Sequence, residues 1–148
     1  MGKKEMGKLR PVMWETFDHA ADIGIRGFGS SLEEAFENGA RALFSIMVED
    51  LSKIVPERAV EISCSSFDLT GLFVAWINEL LAQADIRGMV FKDFAVGLNN
   101  LDLKGTARGQ KWERCAAGRG IEVKGATFAE AAVEKKDGLW IAQCVVDV

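Results

Sequence analysis

Apolar positions fall along the chain at two spacings. Leu32, Ala35, Phe36, Ala40, Leu43, Phe44 and Met47 recur at intervals of three and four, which predicts an amphipathic helix over 31–48. Ser31 stands at its start with Glu34 three residues on, the spacing of a capping box. A second set, Leu69, Leu72, Phe73, Trp76, Ile77, Leu80, Leu81 and Ala84, predicts a helix over 68–87, with Asp68 as its N-cap and Gly88 just past its end. The remaining apolar residues alternate or run in short β-branched stretches. They predict strands over 12–17, 23–28, 55–65, 90–98, 101–108, 121–128, 133–135 and 139–146. Asn99-Asn100 and Lys136-Asp137-Gly138 are hairpin turns, because Asn, Asp and Gly tolerate positive φ. The order is two strands, a helix, a strand, a helix and then several strands. It predicts an α+β fold, with two helices packed on one face of a mostly antiparallel sheet.

At 148 residues with 49% hydrophobic content, the chain is one domain with enough apolar surface to form a core without staples. Lys3, Lys4, Lys8 and Arg10 crowd the start of the chain with no apolar stretch behind them. Residues 1–10 therefore read as a disordered basic tail and not as a secretory signal, and residues 11–148 as the folded domain. No apolar run approaches the roughly 20 residues of a membrane span. Cys64, Cys115 and Cys144 form no Cys-x-x-Cys pair, and His19 is the only histidine. A zinc site of cysteine and histidine is excluded on that count, and reduced thiols place the chain in the cytoplasm. The net charge of −4 argues against a DNA-binding or general RNA-binding surface.

Three places carry candidate chemistry. Asp18-His19-Ala20-Ala21-Asp22 sets two acids and a histidine around two small residues, between two strands. Such a segment serves acid/base chemistry, holds a cation, or is a solvated turn. The ending Val145-Val146-Asp147-Val148 gathers the Asp147 carboxylate, its carbonyl and the Val148 carboxylate, hard oxygen donors of the kind calcium and magnesium prefer. Between Lys104 and Lys124, six basic residues stand against Asp102, Glu113 and Glu122, around Gly105, Gly109, Gly118 and Gly120. This stretch carries no phosphate-binding glycine pattern. It reads as a solvated loop or as a contact for RNA or an acidic partner. Cys115 lies within it, but no nucleophile–base pair or Gly-x-Ser-x-Gly elbow supports covalent catalysis.

Four stretches together resemble the archease family: 17–24 (Phe17-Asp18-His19-Ala20-Ala21-Asp22-Ile23-Gly24), 76–81 (Trp76-Ile77-Asn78-Glu79-Leu80-Leu81), 123–128 (Val123-Lys124-Gly125-Ala126-Thr127-Phe128) and the ending 145–148. The resemblance runs from Trp14 to Val148. It implies a non-catalytic accessory protein that activates an RtcB-type RNA ligase in tRNA splicing, promoting its guanylylation and multiple turnover. By the same resemblance a divalent cation, calcium with magnesium as the alternative, is held by Asp22, Asp147 and Val148. Asp18, His19, Lys124 and Thr127 then support the site, and tRNA is met only through the ligase. The chain departs from the family pattern at four positions. Ala20 replaces threonine, Gly125 alanine and Phe128 tyrosine, and Ala129 stands where histidine is common. Two other readings compete with the ligase activator: a chaperone-like scaffold for RNA-modifying enzymes, and a stand-alone metal-dependent hydrolase.

Overall fold

The computed structural model describes residues 13–148, so the basic tail over 1–10 lies outside the described residues. The elements are β1 (Trp14–His19), β2 (Asp22–Gly29), α1 (Leu32–Met47), β3 (Arg58–Ser65), α2 (Leu69–Arg87), β4 (Met89–Asn99), β5 (Asp102–Lys111), β6 (Gly125–Ala126), β7 (Ala132–Lys136) and β8 (Leu139–Asp147), with single 3-10 turns at Leu51–Lys53 and Trp112–Arg114. The fold is α+β. Its antiparallel strands divide into two sheets. One runs β1-β2-β8, with β6 and β7 following each other along the far edge of β8, and the other runs β3-β5-β4.

Both helices begin and end where the capping residues direct. The Ser31 hydroxyl accepts the Glu34 N–H at 3.1 Å, while the Glu34 carboxylate reaches back to the Ser30 N–H at 2.6 Å. The Asp68 carboxylate accepts the Gly71 N–H at 2.7 Å, and Gly88 closes α2 in the left-handed region at φ 61°. The apolar stripes of the two helices meet in the core. Phe36 and Phe73 pack edge to face with centroids 5.2 Å apart, and the buried Trp76 indole N–H donates to the Phe36 carbonyl at 3.0 Å. That bond lets a large aromatic be buried without an orphaned donor. The buried Asn38 and Gln110 are satisfied in the same way, Asn38 by donating to the Phe28 carbonyl at 2.7 Å and Gln110 by accepting the Val55 N–H at 2.9 Å.

Several sequence-based boundaries move. The predicted strand over 121–128 shrinks to Gly125–Ala126. The Gly120 and Ile121 N–H groups instead donate to the Met47 and Ile46 carbonyls, both at 2.8 Å, and so satisfy the C-terminal carbonyls that α1 leaves open. The strand expected from 55 begins at Arg58, because Pro56 has no N–H and the Val55 N–H is held by Gln110. The β4–β5 turn falls at Asn100-Leu101, one residue later than expected, with Asn100 at φ 57°. The Asp137-Gly138 turn is as expected, with both residues at positive φ. The first strand runs from Trp14 to His19, two residues further than predicted.

Candidate functional site

The β1–β2 hairpin turns on two residues. His19 and Asp22 form its last cross-strand pair, and Ala20 takes φ 52° in the turn between them. A small side chain suits that left-handed backbone. Side chains alternate along a strand and cross-strand partners share a face. The pairs His19↔Asp22, Phe17↔Gly24 and Glu15↔Arg26 therefore lie together on one face of the sheet. The opposite face of β2 packs on α1, where a Cβ on Gly27 would fall 2.1 Å from the Gly39 nitrogen. The site faces away from the helices.

The second half of the site comes from the centre of the sheet. β2 pairs with β8 from Gly29↔Trp140 to Ile23↔Val146, so one further step brings Asp22 alongside Asp147. The Val148 N–H donates to Asp22 Oδ1 at 3.3 Å. On the other side of β8, Gly125 pairs with Asp147 and the Lys124 N–H donates to the Asp147 carbonyl at 2.8 Å. Thr127 fastens the same edge: its N–H and its hydroxyl both donate to the Val145 carbonyl at 2.9 Å. The sequence singled out Asp22, Asp147, Val148, Lys124 and Thr127, and the fold brings all five to one end of β8. Lys124 and Thr127 act there through their backbone and hydroxyl; the Lys124 side chain is exposed.

Asp18 and His19 part company. His19 shares the face of Asp22, whereas Asp18 pairs with Ile23 and falls on the other face, exposed. Among the described residues the acid paired with His19 is Glu130, with Nε2 to Oε2 at 4.0 Å. Glu130 sits at φ 52° in the connection between β6 and β7, and its carbonyl accepts the Gln143 amide at 2.9 Å. Gln143 in turn accepts the Arg26 Nε–H at 2.7 Å, and Arg26 also donates to the Glu15 carboxylate. The Arg26 guanidinium lies 4.4 Å over the Phe17 ring, and that ring covers Gly24 so closely that a Cβ there would be 2.1 Å from it. A ladder of polar and aromatic side chains thus runs across the sheet from Glu15 to Glu130.

Sequence reasoning missed Glu130, Arg26, Gln143 and Asn78. Asn78 stands on α2 and grips β6 from below: its Oδ1 accepts the Ala126 N–H at 2.8 Å and its amide donates to the Ala126 carbonyl at 3.3 Å. Asn78 stood in the sequence within the 76–81 stretch that resembles the family, with no site role attached to it. Glu130 carried no signal, since its position depends on a loop crossing the sheet.

The donors at this end of β8 are the Asp22 and Asp147 carboxylates and the main-chain oxygens of Asp147 and Val148. These are hard oxygens, which fits calcium or magnesium and not a soft metal. Among the described residues no group of three or more His, Cys, Asp or Glu side chains converges as a metal centre, so a cation here must draw on the main chain. The Asp147 carbonyl already accepts one hydrogen bond and keeps a second lone pair. The cysteines offer no alternative chemistry at the core. Burial, with a smaller contribution from Glu79, pushes the Cys64 thiol up to about 11, and burial pushes Cys144 up to about 12.

A model of the archease protein family matches residues 14–148. The chain belongs to the archease family. The archease of Sulfolobus acidocaldarius is 43% identical over 137 residues, covering 91% of this chain and 98% of that protein. The archease of Pyrococcus furiosus is 41% identical over 140 residues with the same coverage. Among solved structures, a Methanobacterium thermoautotrophicum protein in solution superposes with a TM-score of 0.81 at 34% identity, over 92% of this chain and 99% of its own. A Thermotoga maritima protein described as an archease, possible chaperone, shares the fold with a TM-score of 0.60 at 20% identity, over 94% of this chain and all of its own. The matched span includes every element of the archease fold described above and both halves of the site. No described helix is long and apolar enough to cross a membrane.

Proposed function

We propose that this archease is an accessory protein, without catalysis of its own, that activates an RtcB-type tRNA-splicing RNA ligase, and that Asp22, Asp147 and Val148 hold a divalent cation, calcium or magnesium, for that purpose. The observation that carries the reading is the union of Asp22 with the end of β8, through the Val148 N–H to Asp22 Oδ1 bond. Two segments more than a hundred residues apart in sequence meet in a set of hard oxygen donors on a face the helices do not use. A bound cation would supply a fixed positive charge for phosphate or carboxylate groups of the ligase site. The chain's own contribution is rigidity. β2 and β6 flank β8, Lys124 and Thr127 pin its end, and Asp22 enters from a two-residue turn that leaves little freedom. A site so held needs no reorganisation when the partner docks.

The test is direct. Asp22→Asn keeps the size and removes the charge. Calcium affinity measured by calorimetry should fall at least about tenfold, and stimulation of ligase guanylylation and turnover should be lost in parallel. Unchanged stimulation by the variant would sink the proposal. A chaperone-like scaffold is the second reading, favoured by the description of the Thermotoga protein and by the exposed Phe128, 67% accessible, beside the site. It predicts client binding that survives chelation, whereas the first reading predicts its loss.

A further inference from the structure

Among the described residues the most exposed large apolar side chain is Phe67, 99% exposed in the connection between β3 and α2. A free phenyl ring is costly in water, and aromatic residues are over-represented at the buried centres of interfaces. Two residues before it along the chain, Ser65 helps to line an open groove of about 640 Å³ at the end of the three-stranded sheet, shared with Cys64, Leu98, Asp102, Leu103 and Lys104. Ring and groove are held together: Ser65 belongs to the wall, and the Ser66 N–H donates to the Leu101 carbonyl of the β4–β5 turn at 3.3 Å. The volume is within the range of ligand-sized pockets and ample for an inserted aromatic side chain. Cys64, with its thiol pushed up to about 11, is a neutral wall at physiological pH.

We propose that this face is a self-association surface, on which two copies of the chain pair about a twofold axis and each inserts Phe67 into the groove of the other. A knob and a hole on one face are what an isologous interface requires, since residue and receptor exchange roles between the copies. The charges are self-complementary as well. Asp102 and Lys104, both exposed, stand two apart on β5 and so share a face, which sets Lys104 of each copy to meet Asp102 of the other. Among the described residues β3 pairs only with β5, whereas the edge strand β4 is guarded by the Glu37 carboxylate, which accepts the Val96 N–H at 2.9 Å. An unguarded edge admits a second chain alongside it. This surface is independent of the site at the end of β8.

Sedimentation equilibrium of the full chain from micromolar to millimolar concentration tests the proposal. The wild type should associate reversibly to a dimer. Phe67→Ala, which removes the knob, and Ser65→Trp, which fills the hole from a strand position that accepts an aromatic, should each weaken association by about tenfold or more. An equimolar mixture of the two variants retains one knob and one free hole, so it should associate more tightly than either variant alone. A wild type that stays monomeric throughout overturns the proposal, as does a Phe67→Ala variant that associates like wild type or a mixture that gains nothing.

Discussion

At the scale of single residues, the site is held by side chains that serve the main chain of a neighbouring segment. Asn78 is the clearest case. It matches both main-chain polar groups of Ala126, so a two-residue strand with little ladder of its own is fastened to a helix. Asn78→Ala removes both bonds, which are exposed, so water takes their place in part. The expected cost is about 1 kcal/mol in urea unfolding, with faster amide exchange at Ala126. A variant as stable and as protected as wild type would show that β6 is held by β8 alone. Thr127→Val tests the other edge. It keeps the shape and deletes the hydroxyl bonds to Val145 and Ala129, at an expected cost of about 1 kcal/mol. The residues legible in the sequence were those whose chemistry is local. Asp22 stood out because an acid beside two alanines marks a turn, and Asp147 because an acid closes a β-branched run. Arg26, Gln143 and Glu130 were invisible because their partners lie 11, 117 and 13 residues away across strands, and one sequence gives no register between distant strands.

At the scale of elements, the site depends on how closely α1 seats on the first hairpin. Gly27 touches Gly39 and Ala35 backbone, and a Cβ there would stand 2.1 Å from the Gly39 nitrogen and 2.3 Å from the Ala35 carbonyl oxygen. Neither backbone can yield without moving the helix. Gly27→Ala should therefore lift α1 from the sheet at a cost of about 2–3 kcal/mol, lowering the thermal midpoint by roughly 10 °C. Gly97→Ala is the control: its Cβ would meet only the Lys104 carbonyl, at an ordinary 3.5 Å, so stability should hold or rise by about 0.5 kcal/mol. Equal effects at the two positions would mean that loss of glycine flexibility, and not helix seating, governs both. The same close seating explains what periodicity could and could not reveal. Helices were legible because caps and apolar stripes are local. The stretch 121–128 alternates like a strand, yet its first N–H groups are drawn to the end of α1. Hydrogen-bond demand at a helix terminus overrode a local pattern.

At the scale of the whole molecule, the division of the strands into two sheets could not be read from strand order, because adjacency in sequence does not say which edges meet. The division has a thermodynamic consequence through the cysteines. Cys144, fully buried on the central strand of the larger sheet, and Cys64, half-buried on β3 of the smaller, are held by the fold with thiols at about 12 and about 11 against an ordinary 9.0. Above the ordinary value the unfolded chain releases protons that the folded chain keeps. The unfolded state then binds fewer protons, and unfolding free energy declines as pH rises. This contribution is fully present below 9.0 and is lost as pH climbs toward 11 and then 12. Urea midpoints should accordingly hold up to about pH 9 and fall between there and about pH 11. The chain has no tyrosine, so thiolate absorbance can be followed without phenolate interference, and in a Cys115→Ser background the signal of Cys64 and Cys144 should appear, below about pH 11, only with unfolding. Cys144→Ala will be less stable at neutral pH because it leaves a small cavity, but its alkaline decline should be shallower than that of wild type. If its decline were as steep, the alkaline limit of this fold would lie with its lysines, and the buried thiols would be spectators.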